Sequence, residues 1–202
     1  MDGWNKFNQI ANWTFNIAYL NLIWILFTII GLVFFGIFPA TAAMFAIARK
    51  WVILGERDFS IIKTFWSFYR QDFFKLNGFA LFFFLIGYFL YFNIAFLILN
   101  PSNLQFLFPG MILFGLAYVV TLLFFFPVYV HFKLKFFQYI KQAFLFAILS
   151  PLELIGTILA VVILFAFMFW IPGIIPLFTG SVLAICFMYL IKRSLYRLAK
   201  AG

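Results

Sequence analysis

Glu153 is the one acid inside an apolar stretch of this chain, and a carboxylate there could hold an ion or relay a proton. Its neighbours give it a plainer use. Ser150-Pro151-Leu152-Glu153 places Ser at the N-cap, Pro at N1 and Glu at N3 of a helix. In a capping box of this kind, the Ser oxygen and the Glu carboxylate satisfy backbone N–H groups that the first turn leaves unpaired. The expectation is a structural cap. His131 is the only histidine. With no second His, Cys or nearby acid it cannot build a zinc site, so it reads as a helix-end residue at an interface. Cys186, the only cysteine, lies in apolar surroundings with no neighbouring base, which favours an inert thiol and forbids an intramolecular disulfide. Asn93, Thr121, Thr157, Thr179 and Ser181 could line a polar path, although isolated polar residues more often join helix to helix. Glu56-Arg57-Asp58, after Gly55, reads as a solvated turn. There is no Gly-rich phosphate loop, nucleophile elbow or metal-binding pair. Catalysis needs several convergent polar groups, so the expectation is no enzyme, no cofactor and no metal.

The elements that hold these residues must be membrane helices. Of 202 residues, 67% are hydrophobic and 9% charged, whereas soluble domains usually carry about 25% charged residues. So few charges cannot coat a globule in water, and lipid must solvate much of the exterior. Runs such as Phe82-Phe83-Phe84 and Phe124-Phe125-Phe126 have neither the alternation of barrel strands nor the polar stripe of a soluble helix. The chain reads as a single all-α transmembrane domain, 1–202. Its net charge of +9 sits at helix ends and short loops, which points to the anionic inner leaflet of a membrane and away from nucleic acid. Ala40-Thr41-Ala42 mimics a signal-peptidase site. The preceding apolar run is too long for a leader and its flank, Asp2 to Lys6, lacks a positive excess, so it reads as a retained helix.

Apolar segments fall at about 17–36, 39–54, 79–99, 109–130, 150–170 and 174–191. The basic residues form three groups: Arg49, Lys50, Arg57, Lys63, Arg70 and Lys75; Lys133, Lys135 and Lys141; and Lys192, Arg193, Arg197 and Lys200. Two spans separate successive groups, so all three share one side, and the intervening connections near 100–108 and 171–173 carry no charge. Positive charge resists translocation and marks the cytoplasmic side. The C-terminus is therefore expected in the cytoplasm. The stretch 17–48 admits two readings. One is a single helix kinked at Pro39, giving five spans; the other is two helices turning at Gly36-Ile37-Phe38-Pro39, giving six and a cytoplasmic N-terminus. Six is favoured, because 17–36 already crosses the hydrocarbon and proline suits the first turn of a new helix. Pro39, Ala40, Thr41, Ala42 and Ala43 are then helix-packing residues, small enough for close backbone approach.

Residues 59–76 look amphipathic. Ile62, Phe65, Trp66, Tyr69, Phe73 and Leu76 repeat at helical spacing, with Lys63, Ser67 and Arg70 opposite. Such a helix lies in the interface, rings inward and cations toward phosphates. Lys63, Trp66 and Arg70, with Arg193 and Arg197 at the far end of the chain, are the expected lipid-interface residues. Segments 4–16 and 131–149 are weaker versions. Each of the three precedes a hairpin, suggesting three copies of one unit, supported by Arg70-Gln71-Asp72-Phe73 beside Lys141-Gln142-Ala143-Phe144.

Asn21-Leu22-Ile23-Trp24 and the run from Gly31 to Ala43, with Pro39-Ala40-Thr41-Ala42-Ala43, are followed by Arg49-Lys50-Trp51, Gly55-Glu56 and Lys63-Thr64-Phe65-Trp66. Together these resemble the YesL-type family of small bacterial multi-pass membrane proteins, across roughly the first third of the chain. The sparse charge of the second basic loop departs from that pattern. The resemblance carries no biochemical activity. It implies a setting: a bacterial plasma membrane, beside importers and hydrolases for plant-type polysaccharides, and hence an accessory or regulatory partner of the permease subunits of a carbohydrate ABC importer. A self-contained transporter or channel is the alternative, and would need water-facing polar groups at membrane depth, with Asn93, Thr121 and Glu153 as candidates. A role in shaping or sensing lipid is a third reading. An outside sugar would meet little beyond Asn100, Ser102, Asn103 and Gln105.

Overall fold

A computed structural model describes residues 2–99, 106–170 and 175–201. The outward connections expected near 100–105 and 171–173, with Asn100, Ser102, Asn103 and Gln105, lie outside the described residues. Among the described residues the chain is helical, with turns and short irregular segments at 55–60 and 132–135 and without a strand. The helices are α1 (Asp2–Ile30), α2 (Ile37–Arg49), α3 (Ile61–Gln71), α4 (Phe73–Leu99), α5 (Phe108–His131), α6 (Phe136–Leu149), α7 (Pro151–Trp170) and α8 (Ile175–Ala201). A π-helical stretch, Lys50–Leu54, prolongs α2 and ends at Gly55, whose φ of 72° is left-handed. Five segments are long and apolar enough to cross a membrane: Trp4–Ile30, Ile37–Leu54, Phe73–Leu99, Phe108–His131 and Leu177–Ser194. A sixth arises where α6 and α7 meet at a 95° bend. The 20 residues of α7 rise about 30 Å, enough for the hydrocarbon.

The chain reverses between α1 and α2, so 17–48 is no single kinked helix. Trp24 donates its indole N–H to Thr41 Oγ1 at 3.1 Å, and the Trp13 and Trp51 rings meet at 5.1 Å, as in an antiparallel pair. The reversal is earlier than the expected Gly36–Pro39 break. It occupies 31–36, where Val33 N–H bonds Thr28 O at 2.9 Å and Leu32 N–H bonds Ile29 O at 2.9 Å. This is the Schellman pattern of a helix C-terminus. It places Leu32 (φ 56°) and Val33 (φ 61°) in the left-handed region. A Cβ on Gly31 would lie 2.3 Å from Gly36 Cα, and one on Gly36 would lie 2.3 Å from Thr28 O, so both positions need glycine. Pro39 is the third residue of α2, inside the first turn where an N–H would have no partner. The expected separate helix over 4–16 is instead the first half of α1, because nothing between Trp4 and Ile30 breaks it.

α2 is the central helix. Its residues Pro39, Ala40 and Ala42 to Ala48 are buried, and Thr41 is half-buried. One apolar core joins α1, α2, α3 and α8 through Leu20, Ile23, Phe27, Met44, Ile47, Phe65 and Met188. A second joins α4, α5 and α6 through Phe79, Phe83, Phe125, Tyr139 and Phe146, with Ala42 and Ile191 at the seam. Asn21, almost wholly buried, locks α1 to α8: its Oδ1 accepts the N–H groups of Gly180 and Ser181, each at 3.0 Å.

The amphipathic helix expected over 59–76 is shorter. α3 ends at Gln71, Asp72 breaks the helix, and Phe73 and Leu76 belong to α4. Its ring face packs on protein. Phe65 and Tyr69 lie 5.1 and 5.2 Å from Phe27, and Tyr69 donates to Phe27 O at 3.2 Å, with burial pushing its phenol up. Lys63, Trp66 and Arg70 are exposed. A single residue, Asp72, separates α3 from α4, and a single residue, Ser150, separates α6 from α7. The layout of a short helix ahead of a hairpin therefore occurs twice and is absent from the first hairpin. The proposed repeat identities do not coincide with it: Gln71 abuts its break, whereas Gln142 lies within α6, well ahead of Ser150.

Candidate functional site

Polar side chains converge at one end of the bundle, around a cavity of about 590 Å³. Five elements meet there. The small residues Ala42, Ala43 and Ala46 on α2 leave the space, and Arg49 closes that helix. Gln71 at the end of α3, Asp72 at the elbow and Lys75 in the first turn of α4 form a second wall. Tyr129 and His131 come from the last turn of α5, Lys133 from the following loop and Tyr139 from α6. Lys75 Nζ stands 5.1 Å from the Tyr129 ring centroid and 4.8 Å from that of Tyr139, a cation–π clamp. Tyr139 donates to Phe132 O at 3.1 Å. The Tyr129 hydroxyl approaches the Asp72 carboxylate without reaching hydrogen-bond geometry, and Arg49 and His131 are electrostatic neighbours. The lining has three cations, one carboxylate, an imidazole and two phenols, but no serine, threonine or cysteine. Its cations outnumber its carboxylate three to one.

A second polar cluster joins α7 to α8. Ser150 precedes Pro151 at the start of α7, as read from sequence, but its hydroxyl faces Ser194 Oγ at 2.5 Å. Glu153 Oε1 pairs with Arg197, while Oε2 has no partner among the described residues. The local S-P-x-E pattern thus sits at a helix start, but its side chains reach across to α8 and do not close a capping box. Arg197, expected at the lipid interface, is an ion-pair partner; Arg193 is exposed. Nearby, Lys192 Nζ donates to Val52 O at 2.7 Å. The Glu56-Arg57-Asp58 turn is exposed, with Glu56 paired to Lys50 at 2.7 Å and Arg57 4.8 Å from the Trp13 ring centroid.

Thr121 lines a cavity between α4 and α5 among the described residues, and neither Asn93 nor Glu153 lines it. Asn93 donates to Phe89 O at 2.7 Å and Thr121 to Ala117 O at 2.6 Å, and Glu153 is held by Arg197. Ser181 is held by Asn21, and Thr157 is buried. Cys186 is a half-buried free thiol on α8. No cluster of three His, Cys, Asp or Glu suited to a metal occurs among the described residues. Sequence reasoning missed the cavity itself: Arg49, Asp72, Lys75, Tyr129, Lys133 and Tyr139 come from segments that each read locally as a helix end.

Residues 17–94, which include Arg49, Asp72 and Lys75, match the family described as "Protein of unknown function, DUF624". Over 195 residues the chain is 35% identical to the uncharacterized protein YteU of Bacillus subtilis (strain 168), covering 96% of this chain and 87% of that one. The chain belongs to this family. It is also 34% identical to YesV over 178 residues and 30% identical to YesL over 182 residues, both uncharacterized proteins of the same strain, covering 85% of each. The YesL-type resemblance read from residues 21–66 falls inside the DUF624 stretch. No solved structure matches.

Proposed function

We propose that this DUF624 protein is a non-catalytic, multi-pass protein of a bacterial plasma membrane, acting as an accessory or regulatory partner of a carbohydrate ABC importer, with its basic end and both termini in the cytoplasm. The setting comes from the YesL-type resemblance, and the orientation from the clustering of Lys and Arg at one side. The observation that favours an accessory over a transporter is the use made of polar groups at membrane depth. Asn21, Asn93, Thr121 and Glu153 each engage a group of the same chain, so they line no common path for a hydrated solute. A transporter would need such groups to face a shared aqueous route. The sixteen-residue lining of the basic cavity includes none of these four.

Two measurements test this reading. Affinity purification in mild detergent should recover the permease subunits of a carbohydrate importer, identified by mass spectrometry, and deletion should lower importer abundance or growth on one polysaccharide. Proteoliposomes holding this protein alone should take up no labelled sugar. Uptake above protein-free vesicles would make it a transporter.

A further inference from the structure

The basic cavity is more polar than its own contacts can satisfy. Four buried side-chain polar atoms have no hydrogen-bond partner among the described residues: Arg49 Nε, Tyr129 OH, His131 Nδ1 and Glu153 Oε2. Three of the four belong to residues lining this one cavity. Buried polar atoms are nearly always paired, and a cluster of exceptions needs a physical reason. Charge points the same way. The half-buried Arg49 and the exposed Lys75 and Lys133 line the cavity with the single carboxylate of Asp72, and none of the three cations is in an ion pair among the described residues. Lys75 is steadied by two rings, which hold an ammonium in place without neutralising it.

We propose that the cavity binds a phosphate-bearing organic anion. The surplus of two positive charges suits a phosphomonoester dianion better than a carboxylate. Arginine offers a planar fork to phosphate oxygens and lysine a point charge. The Tyr129 hydroxyl and the His131 Nδ1, buried in the wall of the same space, are further polar groups beside it. The volume of about 590 Å³ lies within the range of small-molecule sites and well above that of bare phosphate. The remaining room is walled by Phe68, Phe132 and Tyr139, which suits the ring or chain of an organic phosphate. The source is either a free phosphorylated metabolite or the phosphomonoester headgroup of phosphatidic acid. Both present the three terminal oxygens of a phosphomonoester. The inference is independent of the importer reading, since it rests on the cavity alone.

The test uses the full chain purified in neutral detergent. Calorimetric titration with glucose 6-phosphate, against glucose as control, examines the free source. Native mass spectrometry with phosphatidic acid, against phosphatidylcholine, whose phosphate is a diester, examines the lipid source. Arg49→Gln and Lys133→Gln should each weaken the phosphate-dependent signal about ten- to hundredfold, as expected for one lost charge-assisted hydrogen bond. Arg57→Gln, in the exposed 56–58 turn, should leave it unchanged. Binding of glucose 6-phosphate but not glucose assigns a metabolite; retention of phosphatidic acid alone, sensitive to both cavity variants, assigns a lipid. If Arg49→Gln fails to fold, Lys133→Gln decides by itself, because Lys133 lies on an exposed loop. Absence of both signals in the folded protein would overturn the proposal. So would binding that the cavity variants leave intact, or that glucose and phosphatidylcholine match.

Discussion

Two groups of charged side chains gather between the helices of this bundle, and they are built on opposite plans. Between α7 and α8, polar groups are paired across the interface, Glu153 Oε1 with Arg197 and Ser150 with Ser194, and Glu153 Oε2 is left over. Among α2, α4, α5 and α6, three cations crowd one carboxylate around open space, with unpaired atoms in the walls. A matched pair fixes helix to helix and leaves nothing for a ligand. An unmatched group destabilises the empty protein and is relieved when an anion arrives, so stability is given up for binding. The same residue types therefore do opposite things, and mutation should separate them by sign.

The largest expected effect is Arg197→Ala. The Glu153 side chain is only 2% exposed, whereas that of Arg197 is 47% exposed. Removing the arginine strands a buried carboxylate and should cost on the order of 3 kcal/mol. Glu153→Gln leaves a cation that can turn to water and should cost well under half as much. Thermal unfolding in detergent reads both, and equal losses would mean that the clamp is not the asymmetric pair described. The double variant Glu153→Gln/Arg197→Ala should regain most of the stability lost in Arg197→Ala.

A smaller loss is expected for Ser194→Ala, about 1–2 kcal/mol, because the Ser150 hydroxyl then lies buried without its partner. Replacing both serines by alanine should be milder than replacing one. In the cavity, Asp72→Asn should cost about 1 kcal/mol, since it removes the only anion among three cations. Arg49→Gln should be the smallest, within about 0.5 kcal/mol of the parent and in the stabilising direction when no anion is present. A clear destabilisation by Arg49→Gln in anion-free buffer would erase the contrast between the two regions.

The membrane character and helix content were legible because they depend on composition and run length, which are properties of segments read one at a time. The hairpin between the first two spans was also legible, but its position was not. Gly36 and Pro39 looked like the break, whereas the turn begins at Gly31 and uses Leu32 where glycine is usual. Only the close approach of Gly31 to Gly36 reveals why. The Ser150–Glu153 pattern reads as a cap because sequence spacing sees four residues at once; Ser194 and Arg197, on the last helix, lie beyond it. The α3 rings point to lipid in the sequence for the same reason, since amphipathicity gives the apolar face but not whether protein or membrane covers it. The cavity was the least legible feature. Arg49, Asp72, Tyr129 and Lys133 acquire a common purpose only when four helix ends are brought together.

The π-helical stretch at Lys50–Leu54 sets the phase of everything that follows α2. Relative to an α-helix it holds one surplus residue in a turn, the mark of an insertion that the helix absorbed without unwinding. Deleting one residue there would let α-helix run on to Gly55 and swing the exit of the chain by about 100°. Trp51 would leave the ring of Trp13, the Val52 carbonyl would turn from Lys192, and α3 would start from the wrong side of α2. The five residues act as a clutch between the buried helix and the amphipathic one, and a one-residue deletion should be worse tolerated there than in the exposed 56–58 turn.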